Sequence, residues 1–365
     1  MWHTFRVPDQ ERWSQMNPKR LYPWVKRISK EWTGTTRHFK AAVVDFSPGV
    51  VKAGSGQIRR IAGHTRGKRE SQRRRLQRFV SRPQPLGTFF RVWTRSVLST
   101  VRPKQVVLLV DETKLKAAWG VMVVGLALGR RCIPLAWAVY RANDREAYPA
   151  QGQVHLILDL LRHVQAGMPR PVKVRVLADR GIGTSPALMR GIMALGWSFL
   201  FRVTKQSKLV LPEGTEVTFH AQVTHPGAYY AASGTVFKKR GRIPAHVRVL
   251  WHPDAQERWA LVTNDPTLTG WEYAQRMWIE EAFRDLKSYG WQIEAVQLPT
   301  PERMANLWII LVVAYAWMLL MGHALEAAGL LSDRKRRPDG TYAPRWSVFR
   351  EGRSWFLTDR PPYRI

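Results

Sequence analysis

Residues 104–113 read KQVVLLVDET, an apolar run that stops at an acid, Asp111, and then turns polar. Residues 171–183 read PVKVRVLADRGIG, a β-branched run that stops at a second acid, Asp179, before a glycine-rich turn. Short apolar runs bounded by such residues are the pattern of buried strands. Outward from them, Trp119–Leu128 and Arg131–Val139 are two more β-like runs, and the Gly129-Arg130 step between them predicts a hairpin. Gln151–Ala166 reads as a helix stopped at Gly167, Ser185–Leu195 as another, and Ser198–Val203 as a fifth strand. Three strands, a helix, a strand, a helix and a strand make an α/β layered sheet. Residues 206–265 break that rhythm. Short alternating runs such as VTFHAQV, AYYAASGTVFK and HVRVLWH, separated by Pro and Gly, predict a small antiparallel insertion.

Beyond the insertion, Trp271–Gly290 reads WEYAQRMWIEEAFRDLKSYG. On an α-helix at ~100° per residue, Tyr273, Arg276, Glu280 and Lys287 fall within an arc of ~60°, with Arg284 just beside them. Trp278, Ile279, Ala282, Phe283 and Leu286 fill the neighbouring apolar arc, and Glu281, Asp285 and Ser288 point to a third side. One acid therefore sits among cations and a phenol. Cations grip phosphate, and a carboxylate near phosphate usually holds a metal ion. The plainer alternative is an amphipathic helix with salt bridges on its exposed side.

The charge narrows the partners. The 365 residues carry 58 Lys and Arg against 27 Asp and Glu, a net +31, and 45% are hydrophobic. Such a chain can bury a core of two or three domains and attracts a polyanion, meaning nucleic acid or an anionic membrane. Residues 1–100 hold 22 basic and 5 acidic side chains, so the excess is concentrated there. Residues 1–40, rich in Trp, Arg and Lys, are expected to form a basic arm that orders on DNA. Short helices follow, with Ala41–Ala53 broken at Pro48 and Gly49, a turn of helix at Gln57–Ala62, RRRLQRFVS capped by Ser71, and Leu86–Val101. The pair flanking HTRGKRE reads as a helix-turn-helix variant, or else as a solvated basic helix that touches no DNA. A lone Cys132 rules out an internal disulfide framework and a Cys-rich zinc site. The N-terminus, MWHTFRVPDQER, lacks the apolar segment of a secretory signal. Leu307–Met321 is continuously apolar, but its ~15 residues fall short of the ~20 a bilayer needs, which predicts a buried core helix and no membrane. The tail from Ser332 is basic and expected to be partly unordered.

The Y-x2-R-x3-E-x6-K pattern of Tyr273, Arg276, Glu280 and Lys287 resembles the signature of the IS4-type DDE transposases. With the VDET and ADRG strand ends the resemblance extends over roughly residues 40–325, in the family's order of aspartate, aspartate, glutamate. It implies an RNase H-like fold, a mixed sheet with a β-rich insertion between the second aspartate and the glutamate, preceded by a small helical DNA-binding domain. Asp111 and Asp179 would then end adjacent central strands. The corresponding segments are 1–104 (basic helical DNA-binding region), 105–205 (first part of the catalytic domain), 206–265 (β-rich insertion), 266–328 (rest of the catalytic domain, whose last helix packs on the sheet) and 329–365 (basic tail).

The resemblance also implies chemistry. Asp111, Asp179 and Glu280 would hold two Mg²⁺ ions, with Mn²⁺ as a substitute and Asp111 as the bridge, since hard divalent ions take carboxylate oxygens and a metal pair serves in-line phosphodiester cleavage. Tyr273, Arg276, Arg284 and Lys287 would hold phosphates of the strand that is not being cut. Trp251 or Trp259 could stack a flipped base, core packing being the other role open to each. The Arg276 neighbour is Met277, where the family often has Trp, so a contact carried by that Trp does not transfer. Ile61, Ala62, Gly67, Arg74, Arg75, Leu76, Arg78 and Phe79 follow the family's front-domain pattern, which makes Arg74, Arg75 and Arg78 the candidates for end recognition. Partners implied are double-stranded DNA, as element end and as target, and a second copy of the chain in a synaptic dimer. The setting implied is bacterial, cytoplasmic and nucleoid-associated.

Rival acids are Glu112, which strand alternation turns to the opposite face, Glu281, ~100° round the helix from Glu280, and Asp144 in the polar stretch RANDREAY. His155, His163 and His220 are too scattered for a zinc site. Two further readings keep the fold and change the function: a DNA-binding relic without catalysis, and another RNase H-like nuclease such as a junction resolvase.

Overall fold

The computed structural model describes residues 23–144, 152–237, 241–331 and 346–358, together with 334–336, 340 and 342–344. By contact the chain divides into two compact units, one helical and one built on a sheet. The division cuts across the expected segments. Of the described residues, the helical unit takes those from 23 to Thr100, Lys114–Trp119 and those from Ala282 onward, whereas the sheet unit takes those of Val101–Thr113 and Gly120–Glu281.

In the helical unit, α1 (Trp24–Lys30), α2 (Arg37–Ala53), α3 (Ile58–Gly63), α4 (Arg69–Ser81) and α5 (Leu86–Val101) precede the sheet. Its core is aromatic. Trp24 packs edge-on against Trp93, Trp32 against Phe89, and Phe89 stacks on Trp93. The indole N–H groups of Trp24 and Trp32 donate to the hydroxyls of Thr100 and Ser96, at 3.1 and 3.0 Å. The expected arm over 1–40 is thus corrected in its second half, because indoles that bury their rings and satisfy their N–H groups anchor a core. Residues 1–22 lie outside the described residues. Pro48 does not break α2. The helix forgoes the hydrogen bond that proline cannot donate, while Phe39, Val43, Phe46, Val50 and Val51 bury one face along its whole length. Ser71 is not the cap of α4, which starts two residues earlier with Lys68 at the N-cap position.

The sheet has ten strands: β1 (Gln105–Leu115), β2 (Trp119–Leu128), β3 (Arg131–Arg141), β4 (Lys173–Ala178), β5 (Ser198–Arg202), β6 (Lys208–Val210), β7 (Glu216–Thr218), β8 (Tyr229–Val236), β9 (Ile243–Leu250) and β10 (Trp259–Thr263). Their spatial order is β3-β2-β1-β4-β5-β10-β9-β8-β6-β7. Gly129 and Arg130 both have positive φ, 50° and 66°, so the β2–β3 connection is the tight hairpin turn whose twist suits antiparallel strands. Gly125 of β2 lies against Cys132 of β3, where any side chain would collide. β4 pairs in parallel with both β1 and β5. The connecting helices are α6 (Gly152–Ala166), the short α7 (Arg180–Gly183) and α8 (Pro186–Ala194), the last capped by Ser185 with Pro186 in its first turn. This is the expected RNase H-like mixed sheet, preceded by helices. The insertion does not stand apart. β10 pairs antiparallel with β5 and β9 with β10, so residues 206–265 extend the same sheet.

The last third of the chain departs most from expectation. Trp271–Gly290 is not one α-helix. Trp271–Arg276 is 3₁₀, Met277–Arg284 is α-helix (α9), and Asp285–Tyr289 is π. Asp285, expected on a third side of the helix away from the apolar arc, begins the π turn and is buried, while Ile279, Ala282, Phe283 and Leu286 are buried as expected. The apolar run belongs to α10 (Pro301–Ala327), a 27-residue helix of the helical unit. It packs on α1, α2 and α4, and on α11 (Val348–Thr358). Its length does not exclude a membrane span, as ~15 residues would have done. Its burial is that of a core helix, because every residue of its most apolar window is covered by protein. Asn306, inside α10, donates to Val80 O and Arg82 O at the end of α4, at 3.0 and 2.9 Å. Within the tail, Phe349 and Phe356 bury α11 against α10, and residues 332–333, 337–339, 341, 345 and 359–365, on which the expectation of partial order also falls, lie outside the described residues.

Candidate active site and nucleic-acid interface

Strand register decides where the first two acids stand. The parallel pairing of β1 with β4 ends at Val110 opposite Ala178, so Asp111 and Asp179 are the next residues on adjacent strands. Asp111 is not a strand end. β1 continues to Leu115 because residues 111–115 keep the alternation of covered and open positions. Asp179 leaves β4 and caps α7, its Oδ1 accepting the N–H groups of Gly181 and Ile182 at 3.0 and 3.2 Å. Asp111 Oδ1 accepts the Glu112 N–H at 2.9 Å. Each aspartate thus spends one oxygen on backbone and turns the other toward a common point.

That point is a guanidinium. Arg276 Nη2 lies 3.0 Å from Asp111 Oδ2 and 3.5 Å from Asp179 Oδ2, and its Nη1 donates to Glu280 Oε1. The i,i+4 step from Arg276 to Glu280 survives the change from 3₁₀ to α winding because it begins where α9 begins. The Arg276 side chain is 11% exposed, Asp111 also 11%, and Asp179 and Glu280 about a third. Arg276 Nε is buried without a hydrogen-bond partner. Burial, opposed by Arg276 and reinforced by the charges of Asp179 and Glu280, pushes the Asp111 carboxyl up to about 6. Burial works against charge on Arg276 too, but Asp111, Tyr273, Glu280 and Asp179 outweigh it and its pKa is raised.

The donor set is three carboxylates, the hard oxygen ligands that suit Mg²⁺. With the guanidinium between them, no group of three His, Cys, Asp or Glu side chains is close enough to hold a metal among the described residues. The rivals are placed elsewhere. Glu281 reaches Arg131 at 3.8 Å, Glu112 is half-buried beside Asp111, and Asp144 is exposed. His155, His163 and His220 form no ligand group.

The four phosphate-binding candidates are not alike. Tyr273 is 5% exposed, lies edge-on to Trp259 with ring centres 5.1 Å apart, and its phenol is pushed well up by burial. Arg284 is exposed and Lys287 reaches Glu294 at 3.6 Å, both in the helical unit. Trp259 also meets Trp271 edge-on, which meets His252, giving a half-buried aromatic row that ends at Tyr273. Trp251 has Arg258 over its ring at 4.8 Å and donates to Ala255 O. The row and the acid-bridging role of Arg276 are absent from the sequence expectations. The i,i+4 spacing of Arg276 and Glu280 was the available signal for the second.

The chain meets a known family in this region. Residues 140–317 match the model of the transposase DDE domain. The matched span includes Asp179, Arg276 and Glu280 and begins after Asp111. The match supports a DDE transposase. No curated protein matches the chain.

On the helical unit, α4 separates the three end-recognition candidates. Leu76, Phe79 and Val80 bury one side. Arg75 turns to Asp45 at 2.7 Å and lies over the Phe46 ring. Ser71, Arg74, Gln77, Arg78 and Ser81 line an open hollow on the outer side. Arg74 is held by Glu70 at 3.0 Å, which also takes Arg73 at 2.6 Å, and hydrogen bonds from these two arginines lower the Glu70 carboxyl to about 2. Gly67, at φ 105°, turns the chain between α3 and α4.

Proposed function

We propose that the chain is an IS4-type transposase that cuts at the terminal inverted repeats of its element and transfers the 3′ ends to target DNA. The observation that carries this reading is the convergence of Asp111, Asp179 and Glu280, from two adjacent parallel strands and one helix, on a single point. The match to the transposase DDE domain supports the same reaction class. Asp111, Asp179 and Glu280 would hold the divalent metal, Mg²⁺ or Mn²⁺. Bound there, it would supply an activated water and stabilise the leaving oxygen. The protein's own part is positioning. β1 and β4 fix the two aspartates through backbone pairing, the N–H groups of Glu112, Gly181 and Ile182 orient their carboxylates, and α9 carries Glu280. Arg276, Arg284 and Lys287 would hold phosphates of the uncut strand. Tyr273, buried, would act by supporting the site through its contact with Trp259, and Trp259 is the better placed of the two tryptophans to meet a flipped base, since Arg258 covers Trp251. The outer side of α4, with Arg74 and Arg78, would meet the element end, and synapsis would bring two copies together in the bacterial nucleoid.

The test uses purified full-length protein, duplexes carrying the element's terminal repeats, and Mg²⁺. Strand cleavage that Asp111→Ala, Asp179→Ala and Glu280→Ala each abolish, and that Glu281→Ala retains, supports the reading. Specific end binding without cleavage by the wild type would make the chain a DNA-binding relic. Cleavage of branched duplexes lacking the repeats would make it a different nuclease.

A further inference from the structure

Every carboxylate oxygen of Asp111 and Asp179 is committed. Oδ1 of each takes backbone N–H groups, and Oδ2 of each faces the Arg276 guanidinium, which also takes Glu280 Oε1. A divalent ion that used those same oxygens would sit against a like charge with little water to screen it. The guanidinium and the metal therefore compete for one position. The guanidinium is also incompletely satisfied there, since its Nε is buried without a partner. Unpartnered buried donors cost free energy, and a planar fork with spare N–H groups is matched by phosphate oxygens, which it can hold two at a time. Three carboxylates drawn together without a cation would repel one another, so something must neutralise them before metal arrives.

We propose that Arg276 is the internal counter-ion of the acid triad, that divalent metal binds by displacing it, and that a DNA phosphate takes the guanidinium as it leaves. Metal and DNA then bind with positive coupling, and the protein without DNA holds metal weakly. This rests on the reading of the triad as a metal site. Arg276 is in this respect a positioning residue, because it keeps the carboxylates assembled while DNA is absent.

The experiment measures Mn²⁺ affinity of the full-length protein by calorimetry and by Mn²⁺ electron paramagnetic resonance, with and without a duplex. Arg276→Gln removes the competing charge and keeps a polar side chain. It should bind Mn²⁺ roughly tenfold more tightly than wild type without DNA, within the usual range of coupling between sites. Duplex should tighten Mn²⁺ binding in wild type and do so less in Arg276→Gln. In EDTA, Arg276→Gln should melt below wild type, and Mn²⁺ should raise its Tm by more. Arg276→Lys, which keeps the charge and loses the fork, should fall between the two and serves if the glutamine variant does not fold. Equal or weaker Mn²⁺ binding by folded Arg276→Gln overturns the counter-ion role while leaving the triad as a metal site. Unchanged Mn²⁺ binding in Asp111→Asn overturns the metal site itself, and the counter-ion role with it.

Discussion

Two sets of arginines, one in each compact unit, show how little residue type says about role. Arg276 is buried on three carboxylates, whereas Arg74 and Arg78 stand on the open side of α4, one tethered only to Glu70 and the other without a side-chain partner among the described residues. The chain has a large excess of positive charge, yet its candidate active site is where negative charge is gathered and locally neutralised. Basic residues at the surface act through number and salt-screened attraction. A guanidinium enclosed with three acids acts through geometry and low dielectric.

The comparison breaks first, and most severely, on chemistry. Asp111→Ala should lower single-turnover cleavage by roughly 10³-fold or more, at or beyond the loss of a transition-state donor, with duplex binding unchanged. Arg78→Ala at saturating protein should cleave at nearly the wild-type rate. Equal losses would mean the two regions do not divide binding from catalysis.

Stability comes next. Arg276→Ala leaves partly buried carboxylates without their cation, and the cost should be about 2–3 kcal/mol in urea unfolding, below the value for a fully enclosed pair because Asp179 and Glu280 are a third exposed. Arg78→Ala should stay within about 0.5 kcal/mol of wild type, as substitutions of open side chains do. If Arg276→Ala melts like wild type, the acid cluster is not held by that cation.

DNA affinity sharpens the contrast within α4 itself. Arg74→Ala and Arg78→Ala should each weaken duplex binding and reduce the salt slope by about one, as the loss of a phosphate contact does. Arg75→Ala should leave the slope unchanged, because that guanidinium is committed to Asp45 and Phe46. Fluorescence anisotropy across a salt series separates the three.

The smallest effect is at Glu70. Glu70→Gln removes a negative charge and releases Arg73 and Arg74, so duplex binding should tighten, by about twofold for one surface charge. The sign with pH is specific. A carboxyl lowered to about 2 stays ionised from neutral pH down past its ordinary value, and the pairing is lost only as pH falls through the lowered one. The variant's advantage should therefore be the same at about pH 4 as at about pH 8, and an advantage that disappears at about pH 4, where an ordinary glutamate is mostly protonated, would mean Glu70 is not held by those arginines.

Much of the α/β half was legible because its signals are local. Trp119–Leu128 and Leu86–Val101 appear with the bounds read from sequence, and the Gly129-Arg130 turn is where the pattern put it. Apolar runs, alternation and turn residues act within a few positions of themselves. The same local signals misled where a distant partner decides. Trp24 and Trp32 read as parts of an arm until Thr100 and Ser96 accept their N–H groups. Pro48 read as a break until the buried face of α2 carried the helix through it. At the site, the three acids were legible as residues, but the extension of β1 past Asp111 and the capping of α7 by Asp179 were not.

The sequence by itself determined strands β1 to β5 and helices α6 and α8 of the sheet unit, which acids follow β1's apolar run and β4, and that Arg276 and Glu280 face the same side. Those are consequences of side-chain period and backbone chemistry over short distances. Only the tertiary structure decided that the insertion lengthens the central sheet, that the apolar run belongs to the helical unit, and that Arg276 is spent on acids. Each of these depends on strand pairing or charge pairing between residues far apart in the chain. A guanidinium carries no mark of which carboxylate will neutralise it until the fold has removed the water that would otherwise do so.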